Sequence, residues 1–336
     1  MLRTLDTPVY TGYALKSPFC SRKSRPDMDP LSEILSLLKP RSYITAGFDA
    51  GGDWALTLDD LSGRIKCYAV IRGACWLSMG GAVEPIRLEA GDCFVLPSGQ
   101  AVNIASHPDV EAKLASQVLD PNRSGEVVTW NGGGDVLLVG SRFEVKGRHA
   151  EVLLRSLPPL IQVKTSDGQA RLRASIELMM EELREARPGA SLVAQHLSHM
   201  MLVQALRLYL SARSDRDIGW FAALADSQLS GAIAAMHTDP SHAWTLQELA
   251  AIAALSRSAF AKRFRDRVGE TPIAYLTRWR MMLAAERLTN GRDTIARIAL
   301  SLGYESEHAF NTAFKRVIGN SPRRYARAEI EDSARA

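Results

Sequence analysis

The chain carries one stretch of sequence twice near its carboxyl end, and this duplication limits the fold more than any other feature. From Thr245 it reads Thr-Leu-x-x-Leu-Ala, followed by Ser256, Phe260, Phe264, Gly269, Pro272 and Tyr275. From Thr294 it reads Thr-Ile-x-x-Ile-Ala, followed by Ser306, Phe310, Phe314, Gly319, Pro322 and Tyr325. The offset is 49 at the opening threonine and 50 from Ser256 onward. A self-similarity of this period is one unit of structure used twice.

Each unit reads as helix, tight turn, helix. Thr245 is an N-cap, and Glu248 three residues on completes a capping box. Leu246, Leu249, Ala250 and Ala253 fall on one helical face. Ser256 caps a second helix, whose inward stripe is expected to be Ala259, Phe260, Arg263 (through its aliphatic stem), Phe264 and Val268. In the second unit Thr294 is the cap, Ile295, Ile298 and Ala299 lie inside, and Gly303 sits in the turn. Ser306 then caps a helix that turns Phe310, Phe314 and Val317 to the core. Thr271-Pro272 and Ser321-Pro322 each pair a cap with proline at the first helical position. A helix from Pro272 to about Thr289 joins the units. The outward face of each second helix is then free to enter a major groove. It carries Arg257, Ser258, Ala261, Lys262 and Arg265 in the first unit, and Glu307, His308, Asn311, Thr312 and Lys315 in the second.

Charge follows the repeat. Residues 241–328 hold 15 Lys/Arg and 7 Asp/Glu, a net of +8, whereas the whole chain is only +4. Everything outside the repeat is therefore net acidic, and the basic excess sits where a nucleic-acid-binding surface would need it. A basic helical bundle that binds an acidic protein is the alternative, and repeat and charge together disfavour it.

Residues 241–328 resemble the double helix-turn-helix domain of AraC/XylS-type transcription regulators. The residues that carry the resemblance are Trp244-Thr245-Leu246-x-x-Leu249-Ala250, Ser256-Arg257-x-x-Phe260-x-x-x-Phe264, Ile298-Ala299, Gly303-Tyr304-x-Ser306, Phe310-x-x-x-Phe314-Lys315 and Gly319-x-Ser321-Pro322-x-x-Tyr325-x-Arg327. The resemblance implies base contacts at Ser258, Ala261 and Lys262 in the first unit, and at Glu307, His308, Asn311 and Thr312 in the second. Ala261 offers only a methyl group, and Glu307 suits only a cytosine amino group. Lys262, Arg257, Arg265, Arg280 and Lys315 are the expected phosphate or base cations.

Upstream, the pattern changes. Residues 1–27 carry Pro8, Pro18, Pro26 and the cluster Arg22-Lys23-Arg25 without a periodic apolar face, and read as a disordered extension; translation from Met28 is the alternative. Met28-Asp29-Pro30-Leu31 opens a helix with Leu31, Ile34, Leu35 and Leu38 on one face and Pro40 at its end. From Tyr43 to about Phe143, short apolar runs such as Ile65-Lys-Cys-Tyr-Ala-Val-Ile and Ala74-Cys-Trp-Leu-Ser-Met alternate with turn residues, as in a sandwich or barrel. Gly80-Gly81 suits a hairpin turn. Gly91-Asp-Cys-Phe-Val-Leu-Pro97-Ser-Gly99 resembles the second motif of the cupin β-barrel. Metal-dependent cupins follow that motif with a histidine where this chain has Val102, and no histidine occurs between Ile65 and Val83. A metal site needs about three converging ligands, so no metal or cofactor is expected, and no enzymatic role. His107 and His149 read as solvated loop residues.

Cys67, Cys75 and Cys93 lie within the apolar strands, and they raise a redox hypothesis because related regulators sense oxidants through thiols. Burial without an electropositive neighbour favours inert thiols instead. Cys20 lies in the extension, and the four cysteines have neither zinc spacing nor the density of a disulfide framework. Met1–Asp6 lack a signal-peptide core and no apolar run approaches a membrane span, so the expected compartment is the cytoplasm. After Leu157-Pro158-Pro159-Leu160, two amphipathic helices are expected. One runs from about Gln169 to Ala186, with Leu172, Ile176, Met179, Met180 and Leu183 inward. The other runs from a Ser191 cap to about Ala212, with Leu192, His196, Leu197, Met200, Val203, Leu206 and Leu210 on one side. A further helix is expected over 221–236.

These readings assign an α+β multidomain fold: residues 1–27 an extension, 28–160 a cupin-like sensor barrel, 161–217 a helical hairpin and linker where relatives dimerise, 218–328 the double helix-turn-helix domain, and 329–336 a tail. The resemblance implies a homodimeric activator that binds double-stranded promoter DNA, works with RNA polymerase and answers a small molecule or a redox signal. The alternatives are a constitutive DNA-binding regulator with a structural barrel, and a cupin enzyme fused to a DNA-binding domain.

Overall fold

Side chains that alternate along a strand point to opposite faces of a sheet, and β3 (Arg64–Arg72) shows what that period does here. Its Ile65, Cys67 and Ala69 join one apolar cluster while Val70 joins another, with Tyr68 packed against it. A computed structural model describes residues 29–58, 64–80, 84–97, 101–119, 126–145, 150, 154, 157–164, 170–185, 187–211, 219–290 and 293–335. The extension, Cys20, Gly81, Ser98-Gly99, His149 and the 212–218 linker fall outside them.

Two sheets form the N-terminal half. One has six strands in the order β11-β6-β3-β10-β1-β9, built on β1 (Arg41–Ala50), β6 (Cys93–Leu96), β9 (Val127–Trp130), β10 (Val136–Glu144) and β11 (Ile161–Val163) beside β3. The other has five in the order β5-β4-β7-β2-β8, from β2 (Ala55–Leu58), β4 (Ala74–Met79), β5 (Ile86–Glu89), β7 (Val102–Ala105) and β8 (Lys113–Leu114). Phe48, Val70, Phe94 and Leu138 of the first sheet meet Leu56, Leu77, Leu88 and Ile104 of the second in one apolar filling. Gly140 is fixed by this filling: a Cβ there would run into the ring of Tyr68, which stacks on Phe94 at 5.0 Å. Leu157–Leu160 is followed by one more strand, β11, which pairs with β6. A short helix α2 (Ala115–Val118) follows β8.

The outer face of the six-stranded sheet is covered by α3 (Ala170–Glu185) and α4 (Ala190–Ser211). The expected inward residues of α3 are buried. Those of α4 are not the expected set. Ala194, Leu197, Ser198, Met201, Leu202, Ala205 and Leu206 are buried, while Leu192 and Met200 are 59% and 45% exposed. The reason is a buried hydroxyl cluster: Ser198 Oγ lies 2.8 Å from both Thr45 Oγ1 and Ser141 Oγ on the sheet. A buried hydroxyl must be paired, and a helix apolar on most sides turns to pair it. Ser191 is not the cap but lies in the first turn, after Gly189 at φ +86.

The C-terminal half is helical: α5 (Trp220–Leu224), α6 (Ser230–Thr238), α7 (Leu246–Ile252), α8 (Arg257–Val268), α9 (Pro272–Asn290), α10 (Ile295–Ser301), α11 (Glu307–Ile318) and α12 (Pro322–Arg335). The single helix expected over 221–236 is two. Asp226 breaks it because its carboxylate accepts from the amides of Gln228 and Leu229 at 3.0 and 3.2 Å, and so restarts the chain as α6.

The two halves meet along α1 (Pro30–Leu38), whose cap Asp29 accepts from the amide of Ser32 at 3.0 Å. Glu33 of α1 accepts from His237 Nδ1 of α6 at 2.9 Å, and the hydroxyl of Tyr275 of α9 donates to His237 Nε2 at 2.8 Å. These contacts suit a neutral ring with its proton on Nδ1. Burial holds the His237 pKa below the usual histidine value, against the pull of Glu33. The ring stacks on Trp279 at 3.8 Å, and Lys39 reaches Glu286 at 2.7 Å farther along α9.

Candidate nucleic-acid interface

Each candidate reading helix is held by two phenylalanines one turn apart. On α8, Phe260 and Phe264 are fully buried, and Phe264 meets Tyr275 edge-on at 5.7 Å. On α11, Phe310 and Phe314 are fully buried, and Phe314 meets Tyr325 edge-on at 5.6 Å. Two large inward residues spaced i, i+4 fix the rotation of a helix about its axis. The caps fix where it starts: the amides of Ala259 and Ala309 donate to Ser256 Oγ and Ser306 Oγ at 3.3 and 3.2 Å. Both helices stop at a left-handed glycine, Gly269 or Gly319. The helix before α8 has the expected capping box between Thr245 and Glu248.

What remains outward is polar apart from alanines. Arg257, Ser258, Lys262 and Arg265 are exposed on α8, and Ala261 is half-buried. Glu307, His308, Thr312 and Lys315 are exposed on α11, and Asn311 is half-buried. The structure thus exposes eight of the ten residues on two helices of equal length and leaves Ala261 and Asn311 half-buried. Lys262 Nζ lies 2.8 Å from Asp266, whose carboxylate raises the lysine pKa and tethers the ammonium until a stronger partner displaces it. Asn311 Oδ1 is buried without a hydrogen-bond partner, so its amide has unused capacity next to the exposed face. Thr312 Oγ1 donates to the carbonyl of His308 at 3.1 Å and keeps its lone pairs free.

Three sequence expectations need correcting. Ala259 is exposed, not part of the inward stripe. Arg263 does more than lay down its stem: its Nε and Nη2 lie 3.1 and 2.9 Å from Asp226 Oδ2, and Arg267 Nε lies 3.3 Å from the same oxygen. Burial pushes the Asp226 carboxyl up, but Arg263 and the two amides outweigh that and hold it below the usual range. Third, Arg280 is not an outward cation, since its guanidinium donates to the carbonyls of Pro240 and His242. Conversely, Arg316, Arg323 and Arg324 are exposed close to α11 and were not singled out. Their signal was local, because two of them follow the Ser321-Pro322 helix start, where an anion also meets the helix dipole.

The three barrel cysteines are all buried, but only two are together. Cys67 and Cys93 on adjacent strands have their sulfurs 3.7 Å apart. That contact and burial push the Cys67 thiol well above its usual value. Cys75 lies on the other sheet, and burial followed by the Asp92 carboxylate pushes its thiol up to about 12. His107 is an exposed loop residue beside Asp109. Among the described residues no helix is long and apolar enough to cross a membrane.

Known proteins share both halves of this arrangement. A family model described as Cupin matches residues 29–211, more than half the chain, and one described as Helix-turn-helix domain matches residues 249–328. The chain is 41% identical over 300 residues to a putative AraC-like transcription regulator of Streptomyces antibioticus, covering 89% of this chain and 98% of that protein. It is 32% identical over 304 residues to the RCS-specific HTH-type transcriptional activator RclR of Escherichia coli, covering 89% and 97%. It is 30% identical over 305 residues to the HTH-type transcriptional regulator AlkR of Acinetobacter baylyi, covering 89% and 99%.

Lys262→Ala tests what the first unit reads. If Lys262 holds a guanine edge, the substitution weakens binding to the preferred duplex by ~1–3 kcal/mol and relaxes preference at one base pair. A uniform loss across sequences, with a shallower salt slope, assigns it to a phosphate instead. Equilibrium binding to a panel of single-base variants at two salt concentrations separates these outcomes.

Proposed function

The chain belongs to the AraC family of transcription regulators, with an N-terminal cupin domain, and we propose that it is a sequence-specific activator whose cupin domain answers a small-molecule signal. The observation that carries this reading is the pair of equal helices, each fixed from behind by two phenylalanines and polar in front. Ser258 and Lys262 face base edges from the first unit, with a methyl contact from Ala261. His308, Asn311 and Thr312 do so from the second, and Glu307 meets a cytosine amino group. Arg257, Arg265 and Lys315 hold phosphates, which position the protein without reading sequence. Residues 28–160 sense, 161–217 join and dimerise, and 218–328 bind DNA. Such a regulator works in the cytoplasm and contacts RNA polymerase at the promoters it activates.

Two features support the finer parts. The α1 seam touches both the helix before the first unit and the rod between the units, so a shift of the barrel has a physical route to the reading helices. The hairpin leaves Leu178 of α3 and Leu192, Val193 and Met200 of α4 exposed, and large exposed apolar side chains mark an interaction surface when they form one patch. A second copy of the chain fits there, because a dimer reads two bipartite half-sites where a monomer reads one.

Mapping of bound chromosomal sites together with transcript levels tests the function. Bound sites should lie upstream of transcripts that rise with the protein, and should contain two copies of a bipartite sequence; binding without any transcript change rejects the activator. Glu33→Ala should blunt the transcript response while the sites stay occupied. By sedimentation, Met200→Glu should convert a dimer to a monomer, and an unchanged mass rejects the hairpin as the dimer face.

The 3.7 Å approach of the Cys67 and Cys93 sulfurs favours one second reading, in which a small oxidant such as peroxide closes a disulfide between them. The two thiols lose two protons and two electrons as peroxide is reduced to water. Intact mass after peroxide should then fall by two hydrogens in the wild type but not in Cys67→Ser. Two free thiols after treatment leave the small-molecule reading alone.

A further inference from the structure

The two units differ in their turns, and the difference is informative. In the first, Ala254 adopts φ +53, its amide donates to the carbonyl of Ala251, and that of Leu255 donates to Ala250. In the second, Gly303 adopts φ +80, its amide donates to Leu300, and that of Tyr304 donates to Ala299. The two turns therefore have the same bonding and a left-handed residue at the same position, alanine in the first and glycine in the second. The first unit accepts alanine in that conformation, at a cost of roughly 1–2 kcal/mol, so positive φ alone does not require the glycine of the second.

Contact does. A Cβ on Gly303 would run into the carbonyl oxygen of Ser241, whereas Ala254 is exposed. Ser241 belongs to the loop that leads into the first unit, so the first unit's approach presses on the second unit's turn. The loop is internally tied: Asp239 Oδ1 accepts from Ser241 Oγ at 2.6 Å and from the amide of His242 at 3.2 Å, and Trp244 Nε1 donates to the Asp239 carbonyl at 2.9 Å. It is also held from the rod. Arg280 of α9 donates through Nε to the Pro240 carbonyl at 2.5 Å and through Nη2 to the His242 carbonyl at 2.8 Å. The same guanidinium lies 5.7 Å from the ring of Tyr304, the residue after Gly303. The residue that shifts the repeat offset from 49 to 50 is Glu305, directly after Tyr304.

We infer that Arg280 and Gly303 are positioning residues that brace the two units into one body and thereby fix the base-pair spacing between the two sequences they read. This rests on the DNA-binding reading above. Arg280 acts through the loop and not on DNA. A rigid pair spans segments one helical turn, about 34 Å, apart. One inserted base pair moves the second segment by roughly 3.4 Å along the axis and turns it about the duplex, and a braced pair cannot follow that change.

The test uses the purified full chain and duplexes that the wild type selects from a random library, remade with one base pair inserted or deleted between the two selected motifs. The wild type should lose about tenfold or more in affinity for each altered spacing. Arg280→Ala should bind the selected duplex more weakly but lose less than about threefold on the altered ones. Arg280→Lys keeps the stem and charge but not the two-pronged donor; it is the variant most certain to fold, and should fall between. Circular dichroism confirms folding of each. If both folded variants keep the wild-type spacing penalty, the brace does not set the spacing. A wild type that selects one short motif also overturns the brace, whereas a wild type that selects no sequence overturns DNA binding itself.

Discussion

Burial of paired phenylalanines is the interaction on which the rest depends. Phe260 with Phe264, and Phe310 with Phe314, anchor helices that are otherwise short and polar. A helix of twelve residues has little stability alone, so tertiary burial decides whether it forms and which side it shows. Each ring contributes on the order of 2–3 kcal/mol of apolar burial. Once the rings point inward, the opposite side of each helix points outward, while Arg263 and Ala313 stay on the inner side with the rings. Recognition is thus a consequence of packing, because the same spacing that fills the core displays Lys262 and Arg265, or Thr312 and Lys315.

Behind α8, Asp226 adds a polar clamp. One nearly buried carboxylate accepts from the amides of Gln228 and Leu229 in its own turn and from two guanidinium groups of the helix it faces. Such a clamp adds little net energy when intact, but breaking it by removing one partner is costly. Its value here is directional, since it pins the back of α8 at a second height. Arg280 plays the corresponding part between the units and the His237 cluster between the halves. In each case a buried or half-buried polar group joins elements that apolar packing alone would leave free to slide.

Much of this was legible in the sequence. The repeat, its caps, both phenylalanine pairs and eight of the ten outward residues follow from spacing, because a helix has one period and a cap has few suitable residue types. The strands were legible where they alternate. Long-range polar pairing was not legible, because charge type does not say which way a side chain turns. Arg257 and Arg280 look equally free in sequence, yet only Arg257 is exposed, since the carbonyls that hold Arg280 lie 38 and 40 residues away. The rotation of α4 escaped for the same reason: the Ser198 partners Thr45 and Ser141 lie on strands distant in sequence. The break at Asp226 was written locally, as an acidic residue followed by Ser-Gln, but helical periodicity on either side concealed it.

The central claim is that two helices enter successive major-groove segments on one side of a duplex. Hydroxyl-radical footprinting of the purified chain on a duplex it selects tests this most directly. The account predicts two protected patches per monomer on the same face, about ten base pairs apart. A single patch, or protection spread evenly around the duplex, would contradict it.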